Sequence, residues 1–436
     1  MRVMLDISEL GFSRWPYTIL ARAGNPIRKC GQYRFVREMA IGLATSDEVE
    51  LTLSGGLRGE TIWERFQNLD ASLDYSKSDK ALMEVPVAYN HFTRSLVQFL
   101  RHIAGPRANP LLRSLDSFRG HRTLEAFLTP LGQNALRQAE IFHCSSTPFP
   151  EFTSSISGLR RFLTVHDLLP VLYPKFYNLA TQAEVKDMLG SLRPTDWILC
   201  VSENTRNDLC EYLPALDRSR IFVTPEAADP HLFYRCDDEE KQTAARRRYN
   251  IPDRPYILAV CHVTRIKNLD HLVRCFTDVV RQEKIDDLNL VLVGPGNVHD
   301  SPDVLNEIIN SGEVRNRIIL TGYVDDADLA AIYSGALMFV FPTLFEGFGL
   351  PPLEAMQCGV PVITSNTTSL PEVVGNAGIL VNPRDRDQLR SNILKLYQSP
   401  ALRATLSDAS LAQARQFSWQ RCIRQTIDAY KAALAS

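Results

Sequence analysis

Cysteine pairs, charge of one sign and long apolar runs are all scarce in this 436-residue chain. Its nine cysteines (Cys30, Cys144, Cys200, Cys210, Cys236, Cys261, Cys275, Cys358 and Cys422) are odd in number, scattered, and never spaced C-x-x-C. That pattern argues against a zinc site or a disulfide framework and suits reduced thiols in the cytosol. A net charge of −2 leaves no excess of Lys and Arg for broad nucleic-acid binding, so any basic patch must be local and no nucleic-acid partner is expected. The opening apolar run at 3–5 stops at Asp6, far short of a signal-peptide core. No uncharged apolar stretch reaches the roughly 18 residues of a membrane span. Repeats and low-complexity tracts are missing as well. A cytoplasmic protein is the expectation. Its length exceeds one ordinary core, so two domains are expected.

What the chain does have is alternation. Short apolar runs rich in β-branched residues alternate with longer helical patterns, the mark of α/β units around a parallel sheet. Candidate strands in the first half are 3–8, 49–55, 141–146, 162–167, 197–202 and 221–225. In the second half they are 256–260, 288–294, 318–322, 337–342, 361–365 and 378–382. Several are apolar on both faces, as strands of a covered sheet should be. Between the two sets lies a charged stretch, 229–255, read as a linker with a short helix near 239–249. The division expected is a first domain over 1–228, joined by a last helix at 417–436, and a second over 229–416. That last helix is headed by Ser418, with Trp419 as a packing anchor.

The stretch FPTLFEGFGLPPLEAMQCGVPVIT at 341–364 reads strand, loop, helix, strand. Pro351 and Pro352 suit a first helical turn, and Gly359 a stop. Gly347 and Gly349 let backbone approach a ligand, and the helix start offers free N–H groups and partial positive charge. Together they form an anion site at the carboxyl end of a parallel strand. Glu346 stands before the helix and Glu354 in its expected first turn. Two carboxylates beside a phosphate site suit the gripping of sugar and ribose hydroxyls; helix-capping acids are the bland alternative.

Glu346 and Glu354 form an E-x7-E signature that resembles the retaining glycosyltransferases of family 4 (group 1), which include bacterial mannosyltransferases. The resemblance continues in LVLVGPG (290–296), ILTGYVDDADLAAIYSGA (319–336) and SLPEVVGNAGILVNPRD (369–385). It implies the α/β GT-B fold, two Rossmann-like domains facing across a cleft. It also implies that Glu346 lies against the donor-sugar hydroxyls and that Glu354 binds the nucleotide ribose. The turn Gly347, Phe348, Gly349 and Leu350 then lies near the diphosphate and sugar. In VCHVTRIKNLDHL (260–272), Lys267 and Asn268 match the family's RKN-type turn, whose basic residues neutralise the leaving diphosphate. Arg265 is displaced by one position, with Ile266 where the arginine usually stands.

In the first half, KCGQYRFVREMAIGLA (29–44) places Gly31 at the start of an amphipathic helix, where the family carries a glycine-rich turn toward the same phosphates. The run FLTVHDLLPVLYP (162–174) ends a strand in His166-Asp167. By resemblance to polysaccharide and lipid-linked-oligosaccharide mannosyltransferases, His166 reaches the reacting sugar and Asp167 orients the loop or acceptor. In CVSENTRNDL (200–209), Ser202 and Glu203 read as helix capping, and Arg206 as lining the acceptor side of the cleft.

The expected activity is metal-independent, retaining transfer of a hexose from a nucleoside-diphosphate sugar to a glycan or lipid-linked hydroxyl. No cofactor is expected; the histidine–aspartate variant tilts the donor toward GDP-mannose over UDP-sugars. Asp325-Asp326 reads as a helix start, not a metal-binding Asp-x-Asp. The segment 91–122, with six arginines among apolar residues, suits peripheral docking on an anionic membrane surface as well as it suits a solvated helix face. An inactive scaffold or nucleotide-sugar-binding subunit of the same fold is the alternative function.

Overall fold

The computed structural model describes residues 1–6, 31–54, 136–294 and 301–436; the basic segment 91–122 lies outside them. Among the described residues twelve strands form where the apolar runs fall, with bounds differing by two residues at most. They are β1 Arg2–Asp6, β2 Glu50–Ser54, β3 Ile141–Ser145, β4 Arg160–Val165, β5 Trp197–Cys200, β6 Ile221–Val223, β7 Tyr256–Val260, β8 Asn289–Val293, β9 Ile318–Gly322, β10 Met338–Phe341, β11 Val362–Ser365 and β12 Ile379–Val381. The linker helix is Glu239–Arg248.

The strands make two six-stranded sheets, ordered β2-β1-β3-β4-β5-β6 and β12-β11-β10-β7-β8-β9, with every described pairing parallel. Side chains alternate across a strand. Thus Leu258, Val291 and Phe339 enter one core cluster while Ile257, Leu290 and Met338 enter another on the opposite face. Both faces are covered by helices, which explains why these strands read apolar throughout rather than alternating. The first sheet repeats the scheme, with Val3, Leu5 and Leu199 on one face and Met4, Ile198 and Cys200 on the other.

The last helix, Trp419–Ala435, is capped by Ser418, whose side chain accepts from Arg421 N. It packs on the first sheet and not the second: Trp419, Cys422, Ile427 and Tyr430 share a cluster with Phe35, Val36 and Met39 of the helix Gly31–Ala44. Tyr430 is fully buried, its hydroxyl 2.6 Å from His143 Nδ1, and His143 Nε2 lies 2.8 Å from Thr164 Oγ1. A neutral imidazole, one nitrogen donating and one accepting, satisfies both hydroxyls.

Burial, with help from nearby His166, pushes the His143 pKa down to about 3. An unfolded histidine titrates near 6.5. Below that pH the unfolded chain takes up a proton that the folded chain refuses until about 3, so stability is full above the unfolded pKa and falls as pH drops through this window. The expected slope is up to about 1.4 kcal/mol per pH unit. Urea midpoints followed by tryptophan fluorescence between these limits check it. The difference between wild type and His143→Gln should grow smaller as pH falls; a constant difference refutes the assignment.

Candidate active site

The order of the second sheet reverses between β7 and β10, and ligand crevices in open parallel sheets form at such a reversal, outside the carboxyl ends of the strands. The turns after those two strands carry Lys267 and Glu346. After β7 the chain makes a single 3-10 turn, Arg265–Lys267, then enters the left-handed region at Asn268, φ 58°. The Asn268 amide donates to the carbonyls of Pro342 at 2.9 Å and Pro383 at 2.8 Å. It thus ties this turn to the segments following β10 and β12. Lys267 Nζ then reaches Glu346 Oε1 at 2.5 Å, the two side chains 21% and 12% exposed. Burial works against the ammonium, but the charge and hydrogen bond of Glu346 outweigh it and raise the Lys267 pKa. The lysine stays charged.

The loop beyond β10 is held from below. Glu346 N donates to Thr368 Oγ1 at 3.1 Å, and Ser369 Oγ donates to the carbonyls of Glu346 at 3.1 Å and Phe348 at 2.7 Å. Gly349, at φ 116°, starts the helix Leu350–Gln357. Such a φ is open to glycine and costly for other residues. Glu354 is the fifth residue of that helix, so it lies one turn deeper than the sequence suggested. It is nearly buried, and its carboxylate accepts from Arg34 Nη1 at 2.8 Å and Tyr333 Oη at 2.9 Å.

Opposite, β4 delivers His166. Its Nδ1 lies 2.8 Å from Glu226 Oε1 and its Nε2 3.2 Å from Ser145 Oγ, with Phe35 edge-on at 4.8 Å. Asp167 accepts from Leu169 N at 2.9 Å. Burial raises its pKa, Glu346 adds to the rise, and the Leu169 bond, His166 and Lys267 oppose it.

The lobes meet at Gly347. Its carbonyl accepts from Ser202 Oγ at 2.8 Å and Thr205 Oγ1 at 3.2 Å. A Cβ there would fall 2.3 Å from the His166 carbonyl oxygen and 2.8 Å from Asp167 Cβ. Beside this contact Tyr173 stacks on Phe345 with centroids 3.5 Å apart. The Glu372 carboxylate accepts from Glu203 N at 2.8 Å and Asn204 N at 2.7 Å, at the start of the helix Glu203–Tyr212. Ser202 caps that helix as expected and grips the other lobe as well.

The structure thus gathers His166, Asp167, Lys267, Glu346 and Gly347, with Glu354 one turn deeper. Other candidates stand apart. Arg265 is 71% exposed and pairs with Asp303 at 2.9 Å. Arg206 pairs with Glu203 on its own helix surface, 40% exposed. Both amide hydrogens of Asn268 are spent on backbone, and the Phe348 ring is buried edge-on to Phe417 at 5.9 Å. Leu350 opens its helix and is half-buried; Gly31 begins the helix that carries Arg34. Asp325 and Asp326 do start a helix, Asp326–Ser334. Sequence reasoning missed Glu226, Arg34 and Tyr333. For Glu226 a signal existed, because PEAAD places an acid just past the carboxyl end of β6, where open sheets keep their functional residues.

The family described as glycosyl transferases group 1 matches residues 254–399. The O-antigen chain mannosyltransferase B of Escherichia coli is 35% identical over 275 residues, covering 62% of this chain and 70% of that protein. The chain belongs to the group 1 glycosyltransferases. The serotype-specific mannosyltransferase WbdA of Escherichia coli is 29% identical over 273 residues, and the matched region spans only 33% of its length. Two solved structures show the same fold. Sucrose-phosphate synthase from Thermosynechococcus elongatus has a TM-score of 0.64 at 19% identity, covering 100% of this chain and 99% of that one. Anabaena HepE, solved with UDP and glucose, has a TM-score of 0.63 at 14% identity, covering 99% and 100%. The architecture of this glycosyltransferase is accordingly GT-B.

Adding one methyl group to this glycosyltransferase at Gly347 tests the seam. The Gly347→Ala side chain meets backbone on the opposite lobe and pushes the Glu346 loop off His166. Turnover should fall about a hundredfold, the scale of an ångström of misplacement, with far-UV circular dichroism unchanged. Wild-type turnover in that variant means the contact is immaterial.

Proposed function

We propose that the chain transfers a hexose, with mannose favoured, from a nucleoside-diphosphate sugar to a hydroxyl of a glycan or lipid-linked glycan, with retention and without a metal ion. One observation carries this reading: the Lys267–Glu346 pair at the reversal of the second sheet, facing His166 and Asp167 across the lobe seam. Departure of a nucleoside diphosphate builds negative charge on phosphate and positive charge on the sugar ring. Lys267 and the helix start at Gly349 lie where the first charge would be met, in the role a divalent ion otherwise fills. Glu346 accepts hydroxyl hydrogens of the sugar, and Glu354 those of the ribose. The acceptor hydroxyl attacks from the leaving-group face and gives its proton to the departing phosphate. Retention rests on the family resemblance.

Mannose is favoured because the relatives named above are mannosyltransferases. GDP-mannose is the donor to try first. An O-antigen-like glycan chain is the acceptor class that the first relative's name suggests. Among the described residues no helix is long and apolar enough to cross a membrane. Action at the inner face of a membrane, as a peripheral protein, would then rest on the 91–122 segment.

A thermal-shift panel of nucleotide sugars tests the donor class, since a ligand at a hundred times its Kd adds about 2.7 kcal/mol. GDP-mannose should give the largest rise; a flat panel removes the reading. Glu346→Ala and Lys267→Ala should each lose about 10²–10³ in kcat/KM while retaining the wild-type far-UV spectrum, and Lys267→Ala should also weaken nucleoside-diphosphate binding by calorimetry. Undiminished turnover in either variant refutes that residue's role.

A further inference from the structure

The Glu354 carboxylate is gripped from both lobes. Oε1 accepts from Arg34 Nη1 at 2.8 Å, a residue of the first-lobe helix Gly31–Ala44, and Oε2 accepts from Tyr333 Oη at 2.9 Å. Tyr333 is fully buried among core residues of the second lobe. Arg34 is fixed in turn, lying 5.2 Å above the Phe233 ring and 3.7 Å from Asp326 Oδ1. Each carboxylate oxygen has two acceptor directions. With one of these donors on each, each oxygen can still accept one further hydroxyl hydrogen. The buried Nε of Arg34 has no hydrogen-bond partner among the described residues, and the described polar contacts of its guanidinium, to Glu354 and Asp326, come from the second lobe.

We propose that Arg34 and Tyr333 are positioning residues that orient Glu354 to accept the 2′- and 3′-hydroxyls of the nucleotide ribose, so that ribose recognition is complete only when the first lobe brings Arg34 onto Glu354. This deepens the function proposed above and rests on it. The chemistry requires an ionised carboxylate, because a protonated one turns one oxygen from acceptor to donor. Burial raises the Glu354 pKa, and Arg34 is the strongest influence holding it down, with the Tyr333 hydroxyl next.

Calorimetric titration of the full chain with GDP and 2′-deoxy-GDP, and with UDP and 2′-deoxy-UDP, reads the proposal directly. Wild type should prefer the ribonucleotide of the binding pair about tenfold or more, as expected for a hydrogen bond to a charged group. In Arg34→Met and Tyr333→Phe that preference should shrink to less than about threefold, with Arg34→Lys between. A role confined to folding weakens both ligands alike and leaves the ratio unchanged. Tyr333→Phe, a single-oxygen change, keeps the test available should Arg34→Met fold poorly. A wild-type preference that persists in both variants overturns the proposal and leaves the donor reading standing. Tighter binding by Arg34→Met also overturns it, since Arg34 would then compete with the ribose. Absence of a preference in wild type overturns the assignment of Glu354, and absence of binding by either diphosphate overturns the proposed function with it.

Discussion

Between the carboxyl ends of β7 and β10 an ammonium and a carboxylate lie 2.5 Å apart, and the shape of the site follows from how they come to meet. A parallel sheet with both faces covered sends every connection over one face or the other. Only where the strand order reverses do two neighbouring turns diverge and leave a crevice. Lys267 and Glu346 sit on those two turns. Burial alone would strip the lysine of its proton; beside Glu346 it keeps its charge. A phosphate oxygen replacing Glu346 as partner leaves that balance nearly intact, which suits a site that must accept and release an anion.

The seam around Gly347 is built mainly of hydrogen bonds. Ser202 and Thr205 hold the Gly347 carbonyl, Glu372 caps the helix Glu203–Tyr212, and Arg34 meets Glu354. Bonds of this kind exchange for water at a net cost near 1 kcal/mol each. A seam of the same extent made of Leu and Phe would resist opening far more, because its area would have to be rewetted. The aromatic exceptions meet at Phe345, on which Tyr173 stacks and which Phe176 also approaches. A lobe interface that can part at modest cost, yet return to one register, is what a substrate entering between lobes requires. The absent side chain of Gly347 sets that register, since any Cβ would meet the His166 carbonyl.

The strands were legible because sheets covered on both faces leave a strong trace, short apolar runs bounded by turns, and the E-x7-E turn because its chemistry is local. Legibility fails where partners are remote. Arg34 and Glu354 are 320 residues apart, and His166 and Glu226 are 60 apart; no spacing rule joins them. Arg34 lay inside a stretch read for its glycine and its apolar face, so its charge passed unremarked. Arg265 failed for a geometric reason. A 3-10 turn has three residues per turn, so residues two apart differ by about 240° and cannot both face the crevice. With Lys267 turned inward, Arg265 had to point out, where Asp303 receives it. Glu354 was placed one turn too shallow because the helix already begins at Leu350, ahead of the two prolines read as its opening, so Glu354 is its fifth residue.

Charge balance then narrows what the crevice can hold. Asp167, Glu226, Glu346 and Glu354 all lie along it, and each is tied to a different donor: Leu169 N, His166, Lys267, and Arg34 with Tyr333. Among the described residues the cations along it, Lys267 and Arg34, are therefore already engaged with acids. A bare pyrophosphate entering here would gain Lys267 and the helix start but face several carboxylates, each repelling by about 4 kcal/mol at 4 Å in a protein-like dielectric. A nucleoside-diphosphate sugar differs at both of its ends. On the proposed function, its ribose and its hexose would present hydroxyl hydrogens to those same carboxylates, turning repulsive neighbours into acceptors, while the phosphates between them would meet the lysine and the positive end of the helix that Gly349 opens. On this reading the acids do more than hold sugar. They make the crevice unfavourable to any anion that arrives without hydroxyl groups on both sides of its charge.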